Sequence, residues 1–181
     1  MRLVIKFGGT SVGTPKHIRS VAKFIQITSK KNQIVMVCSA IGDTTDDLLE
    51  ISDSIKKENR VKVDSILSKL TKKHLQIAKE TISNSVIRKS LNQKLESILN
   101  ELKGLMHGMI LLGEVTPQSL DYLISFGERL SIEIVSHAIL DLKTKSVALT
   151  GKEVGIVTDS NFGQSKPLMD TTRLRVATNL E

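Results

Sequence analysis

The chain opens on a short unbroken run of apolar positions. Leu3, Val4, Ile5 and Phe7 fall within Arg2 to Phe7, and the run stops at Gly8-Gly9. It reads as a short buried strand. From about Pro15 to Ser29, Ile18, Val21, Ala22 and Ile25 recur at i, i+3, i+4 and i+7, which predicts a helix with one apolar face. Lys30-Lys31-Asn32 ends it. Gln33 to Ala40 then carries Ile34-Val35-Met36-Val37-Cys38 with no polar alternation. That pattern predicts a strand covered on both faces, as in a parallel sheet. Strand, helix, strand is a βαβ unit, expected to cross over right-handed.

Residues 46–112 carry helical spacing almost throughout. Leu48, Ile51 and Ile55 stripe one helix; Val63, Ile66, Leu67, Leu70, Ile77 and Ala78 stripe a second, with His74 on or near the same face. Thr81 to Ser85 interrupts the pattern. Leu91, Leu95, Ile98, Leu102, Leu105, Met109 and Leu112 then alternate steps of four and three, the spacing of helices packed on one another. Gly113 ends this helix, and Thr116-Pro117 starts another with Leu120, Leu123 and Ile124 inside. Gly127 reads as a break. A further helix runs from Glu128 to Leu142 on Leu130, Ile134, Val135, Ala138 and Ile139, which puts Glu128 in a helical first turn, a favourable place for a carboxylate. Ser146 to Leu149 reads as a third strand, Thr171 to Val176 as a short strand, and Ala177 to Glu181 as the start of a helix. The fold class is α/β: a mostly parallel sheet with helices on both faces, plus a helical excursion over about 46–112.

Composition narrows the function classes. With 40% hydrophobic and 25% charged residues in 181, the chain fits one domain with a real core, aliphatic because aromatics are only 3%. The net charge of +7 comes from dispersed lysines, without the aromatic platform or compact arginine patch of a nucleic-acid binder. A positive field also attracts small anions and nucleotides. Cys38 is the one cysteine, so no intrachain disulfide forms, which suits a reducing cytoplasm. No apolar run is long enough to span a membrane, and the opening one reads as a strand, not a signal peptide. No Cys or His cluster has metal-ligand spacing.

The chemistry gathers at the first strand's end. Lys6 precedes Gly8-Gly9, then come Thr10, Ser11 and Gly13, and Thr14-Pro15 caps and opens a helix. Glycines let backbone approach a ligand, and free N–H groups near a helix start favour an anion. A tight turn with a surface lysine is the plain alternative; the combination favours a phosphate site. This is not a Walker A loop, where the lysine follows the glycines, and no G-x-G-x-x-G occurs.

Lys6-Phe7-Gly8-Gly9-Thr10-Ser11-Val12 resembles the opening signature of aspartate kinases, in the amino-acid kinase family. Two later stretches strengthen the resemblance. The loop after the second strand matches at Ser39, Ala40, Gly42, Thr45 and Leu48, and Ser125-Phe126-Gly127-Glu128-Arg129-Leu130-Ser131 matches the second signature. In that family the serine and the last threonine line the amino-acid site, and the glutamate faces the substrate. The resemblance therefore implies ATP-dependent phosphorylation of the side-chain carboxylate of L-aspartate, on the route to lysine, threonine and methionine. Lys6 would be catalytic; Lys6, Gly8, Gly9, Thr10 and Ser11 would hold the ATP phosphates, and Mg2+ would arrive with ATP. Ser39, Thr45 and Glu128 would bind aspartate. Arg129 is open between pairing with a neighbouring carboxylate and holding the site, and Asp159, shortly before Phe162-Gly163, between approaching the substrate and serving a turn.

The resemblance covers essentially the whole chain as a substrate-binding N-terminal lobe. Aspartate kinases continue into a second half with most adenine and ribose contacts, then usually regulatory ACT domains. The sequence expectation is therefore a piece of a longer cytoplasmic protein, homo-oligomeric in full, and inactive alone. Two other readings stay open: an amino-acid or anion-binding module without turnover, and a kinase for another small carboxylate or a carbamate.

Overall fold

The computed structural model describes residues 1–180. In chain order the elements are β1 (Arg2–Phe7), a 3-10 turn (Gly9–Val12), α1 (Pro15–Thr28), β2 (Gln33–Cys38), α2 (Thr44–Lys56), α3 (Arg60–Thr81), α4 (Ser85–Leu112), α5 (Pro117–Asp141), α6 (Gly151–Val154) and α7 (Met169–Leu180). β1 and β2 pair in parallel, in register from Arg2–Gln33 to Phe7–Cys38. The fold is thus mostly helical around a two-stranded parallel sheet.

Alternation of side chains sorts the sheet into two faces. Leu3, Ile5 and Phe7 share one face with Ile34, Met36 and Cys38, and of these Ile5, Phe7, Ile34, Met36 and Cys38 pack on the core toward α1 and α5. Arg2, Val4 and Lys6 with Gln33, Val35 and Val37 point away. The expectation of helices on both faces therefore fails for the described residues: Val4 is 71% and Val37 47% exposed. An unbroken apolar run does not distinguish a doubly covered strand from one whose outer face is bare.

Local signals built most helix ends. Thr14 accepts the N–H of His17, and Thr116 that of Ser119, each just before a proline at the helix start. Gly113 takes the left-handed conformation that ends α4, at φ 66°. The core runs along α5, where Leu123, Phe126, Leu130 and Ile134 are fully buried. α4 packs against it through Leu91, Leu95, Leu102 and Met109, and α2 and α3 through Leu48, Ile51 and Leu70. Each such side chain contributes on the order of 1.5–3 kcal/mol.

Three expected elements differ. α5 runs through Gly127 without a break, so Glu128 lies mid-helix, not in a first turn. Ser146 to Leu149 forms no strand; a cavity of about 430 Å3 opens between this segment, β2, α1 and α5, and no backbone hydrogen bond joins it to β2 among the described residues. Thr171 to Val176 is helical, within α7. There Thr172 exchanges hydrogen bonds with the Val157 backbone, and Asn179 donates to the carbonyls of Glu153 and Val154, so contacts with the preceding segment override the β-branched composition. The helix expected over Ala177 to Glu181 is seen as far as Leu180; Glu181 lies outside the described residues.

Candidate active site at the carboxyl edge of the sheet

Both strands run the same way, so their exits leave the sheet at one edge. Lys6 pairs with Val37 in the register, and the Ser39 N–H donates to the Phe7 carbonyl at 3.1 Å. The glycine loop and the Ser39–Thr45 loop are therefore neighbours from their first residues. Lys6 is exposed on the outer face of the sheet.

Three sequence-separated stretches meet at Ala40. A Cβ at Gly9 would stand 2.9 Å from the Ala40 carbonyl oxygen, and a Cβ at Gly127 would stand 2.8 Å from the Ala40 Cβ. Both positions need glycine because an Ala40 atom, the backbone carbonyl oxygen in one case and the side-chain Cβ in the other, stands where a side chain would be. From the next residue on α5, Glu128 Oε1 accepts the Ala40 N–H at 3.3 Å. Ala40 itself is 2% exposed. The glycine loop, the second loop and the Ser-Phe-Gly-Glu stretch thus form one packed unit, with Glu128 half-buried on the loop that carries Ser39 and Thr45.

The remaining candidates sit as follows. Gly8 has open space where its Cβ would be, unlike Gly9. Gly9 and Thr10 open the 3-10 turn, whose first N–H groups have no acceptor within the turn. Thr10 and Ser11 are exposed, and the Thr10 carbonyl bonds the His17 ring nitrogen at 2.9 Å. Ser39 and Thr45 are half-buried, Thr45 in the first turn of α2. Arg129 turns toward α4 instead. Its guanidinium pairs with both Glu101 carboxylate oxygens and stacks 4.4 Å from the Phe126 ring centre. The Tyr122 hydroxyl also donates to Glu101. Arg129 first and Tyr122 second hold the Glu101 carboxyl below its usual range. Asp159 Oδ1 accepts the N–H groups of Asn161 and Lys166, the arrangement of a turn aspartate. That turn is tied to α5 where Asp121 accepts the Gly163 N–H at 2.7 Å.

Two features escaped sequence reasoning. One is the identity of the Arg129 partners, Glu101 and Tyr122, since pairing with a neighbouring carboxylate is one of the two sequence readings of Arg129. The other is a pair of lysines on α3: Lys69 bonds Asp47 at 3.0 Å, and Lys73 pairs with Asp43. Lysines four apart facing aspartates four apart on a preceding helical segment were the available signal.

A family model described as the amino acid kinase family matches residues 1–179. The chain belongs to the amino acid kinase family. Within that family it is 32% identical over 165 residues to the chloroplastic aspartokinase 1 of Arabidopsis thaliana, covering 88% of this chain and 27% of that protein. It is 28% identical over 183 residues to the aspartokinase of Mycobacterium tuberculosis, covering all of this chain and 30% of that one. The fold matches E. coli aspartokinase III in complex with aspartate and ADP, at a TM-score of 0.82 and 22% identity, over 99% of this chain and 38% of that chain. This amino acid kinase chain thus spans less than a third of the length of these two curated relatives. Among the described residues no helix is long and apolar enough to cross a membrane, and no group of three His, Cys, Asp or Glu could hold a metal ion.

Proposed function

We propose that this chain is the acceptor-binding part of an aspartate kinase, which transfers the γ-phosphoryl group of ATP to the side-chain carboxylate of L-aspartate. The observation that carries the reading is the convergence at Ala40, where the glycine loop, the Ser39–Thr45 loop and the Glu128 carboxylate form one unit. A carboxylate fixed beside two hydroxyl-bearing loop residues suits an ammonium and a carboxylate on one small molecule. The relatives' names supply the substrate, and their motifs in this chain supply the roles.

Phosphoryl transfer asks mainly for position and charge neutralisation. Glu128 would take the substrate ammonium, while Ser39 and Thr45 would donate to its carboxylates. Lys6, at the end of β1, would offset charge gathering on the transferring group. Gly8 leaves the backbone open to phosphate oxygens, and Thr10 and Ser11 would donate from the exposed 3-10 turn. Mg2+ bound with ATP would neutralise phosphate charge. The acceptor carboxylate is already ionised at neutral pH, so this chain needs no general base. Asp159 and Arg129, each engaged in contacts of its own, would act by supporting the site.

Calorimetric titration with L-aspartate, run beside hydroxylamine trapping of acyl phosphate with ATP and Mg2+, tests the proposal. Aspartate binding that weakens at least tenfold in Glu128→Ala is expected, about 1.4 kcal/mol or more. Any trapped product should vanish in Lys6→Ala while aspartate binding persists. Binding without product would favour the amino-acid-binding module for this chain. No aspartate binding by the folded protein would overturn the acceptor-site reading.

A further inference from the structure

The loop between Ser39 and Thr45 is held from outside the site, by α3. Lys73 Nζ donates to the Ile41 carbonyl at 3.3 Å and to Thr44 Oγ1 at 3.3 Å, and it pairs with the Asp43 carboxylate. These acceptors come from consecutive parts of one turn. Gly42, between them, sits at φ 57°, and Lys73 Nζ lies 3.7 Å from the place its Cβ would fill. The Lys73 side chain is 22% exposed, so its charge is largely committed to this turn. The hydrogen bond from Lys73 holds the Asp43 carboxyl below its usual range. One turn earlier on α3, Lys69 grips Asp47 in the first turn of α2.

We infer that Lys73 is a positioning residue for the acceptor site: it fixes the 41–44 turn, and through it sets the placement of Ser39 and Thr45. This rests on the acceptor-site reading above. An ammonium with three donors suits the task, because three oxygens converge on one point. The turn also has a contact of its own: Thr44 Oγ1 donates to the Ile41 carbonyl at 2.5 Å. Loss of Lys73 therefore loosens the turn without unfolding it, and Asp43, 61% exposed, stays solvated. The helical excursion, which supplies Lys73, then has a role in the site.

The test compares wild type, Lys73→Met and Lys73→Arg by thermal unfolding, amide hydrogen exchange and aspartate titration. Lys73→Met should keep a near-native melting temperature, speed exchange at the Thr44 amide, and weaken aspartate binding about tenfold. Lys73→Arg should recover part of both losses. Asp43→Asn should produce a smaller change in the same direction. Unchanged Thr44 exchange in Lys73→Met would overturn the clamp itself. Faster exchange with unchanged aspartate affinity would overturn its link to the site. If wild type binds no aspartate, the acceptor-site reading falls and the positioning role falls with it, while the exchange result still decides whether the clamp exists.

Discussion

His74 shows how one buried side chain ties stability to pH. It is fully buried on α3, with Nδ1 2.8 Å from the Leu70 carbonyl and Nε2 without a partner among the described residues. Nδ1 therefore carries the proton and donates. Burial pushes the imidazole below its ordinary 6.5, with Lys73 adding to burial while the Leu70 bond, Asp47 and Asp43 act against it. A depressed folded value means that the unfolded chain takes up the proton first as pH falls. Stability from this group is complete above about 6.5 and declines below it, by up to about 1.4 kcal/mol per pH unit. Urea unfolding at pH 7.5 and 5.5 should show a smaller loss in His74→Gln than in wild type. Parallel losses would mean that His74 does not report this linkage. Cys38 behaves differently: burial pushes its thiol up to about 11, which keeps it protonated and inert at neutral pH.

Between elements, the decisive contact is α5 against the β2 exit. A glycine mid-helix costs about 1 kcal/mol relative to alanine, yet an alanine at 127 would press its Cβ to 2.8 Å from that of Ala40. Gly127→Ala should therefore destabilise by about 1–2 kcal/mol despite its better helix propensity. Ala40→Gly in the same chain should recover most of the loss, a coupling readable in a double-mutant cycle of denaturant unfolding. A more stable Gly127→Ala protein would remove the packing argument. The same contact explains what was legible in sequence. Thr14-Pro15, Thr116-Pro117 and Gly113 were readable because caps satisfy backbone groups within a few residues of themselves. Gly127 reads locally as a break because its reason lies at Ala40, far away in the chain. Glu128 moves with it, from an expected first turn to mid-helix on α5, where its carboxylate accepts the Ala40 N–H of the second loop. Lys73 was missed because its partners lie about 30 residues earlier, at |i−j| = 30 for Asp43. Ser146 to Leu149 had the composition of a strand, but pairing needs a neighbour at hydrogen-bond distance, and local pattern does not supply one.

At the scale of the whole molecule, the sheet is the unusual part. Parallel sheets are almost always covered on both faces, because crossover helices pack on each side. Here α1 and α5 cover the inner face only, and Arg2, Val4, Lys6, Gln33, Val35 and Val37 form the other. Val4 and Val37 are 71% and 47% exposed on either side of Lys6, so the candidate catalytic lysine stands among apolar neighbours on an uncovered surface. The aspartokinase III chain that shares this fold is longer, and this chain covers 38% of it. For this chain alone, the exposed valines contribute little to folding and favour association. Val4→Thr with Val37→Thr should change the unfolding free energy by no more than about 0.5 kcal/mol each. The pair should also lower the weight-average mass seen by sedimentation equilibrium at high protein concentration, because apolar area leaves the shared surface. A loss of several kcal/mol on substitution, with unchanged mass, would mean instead that these valines are buried within each molecule in solution, and that the outer face is not the open surface on which the Lys6 argument depends.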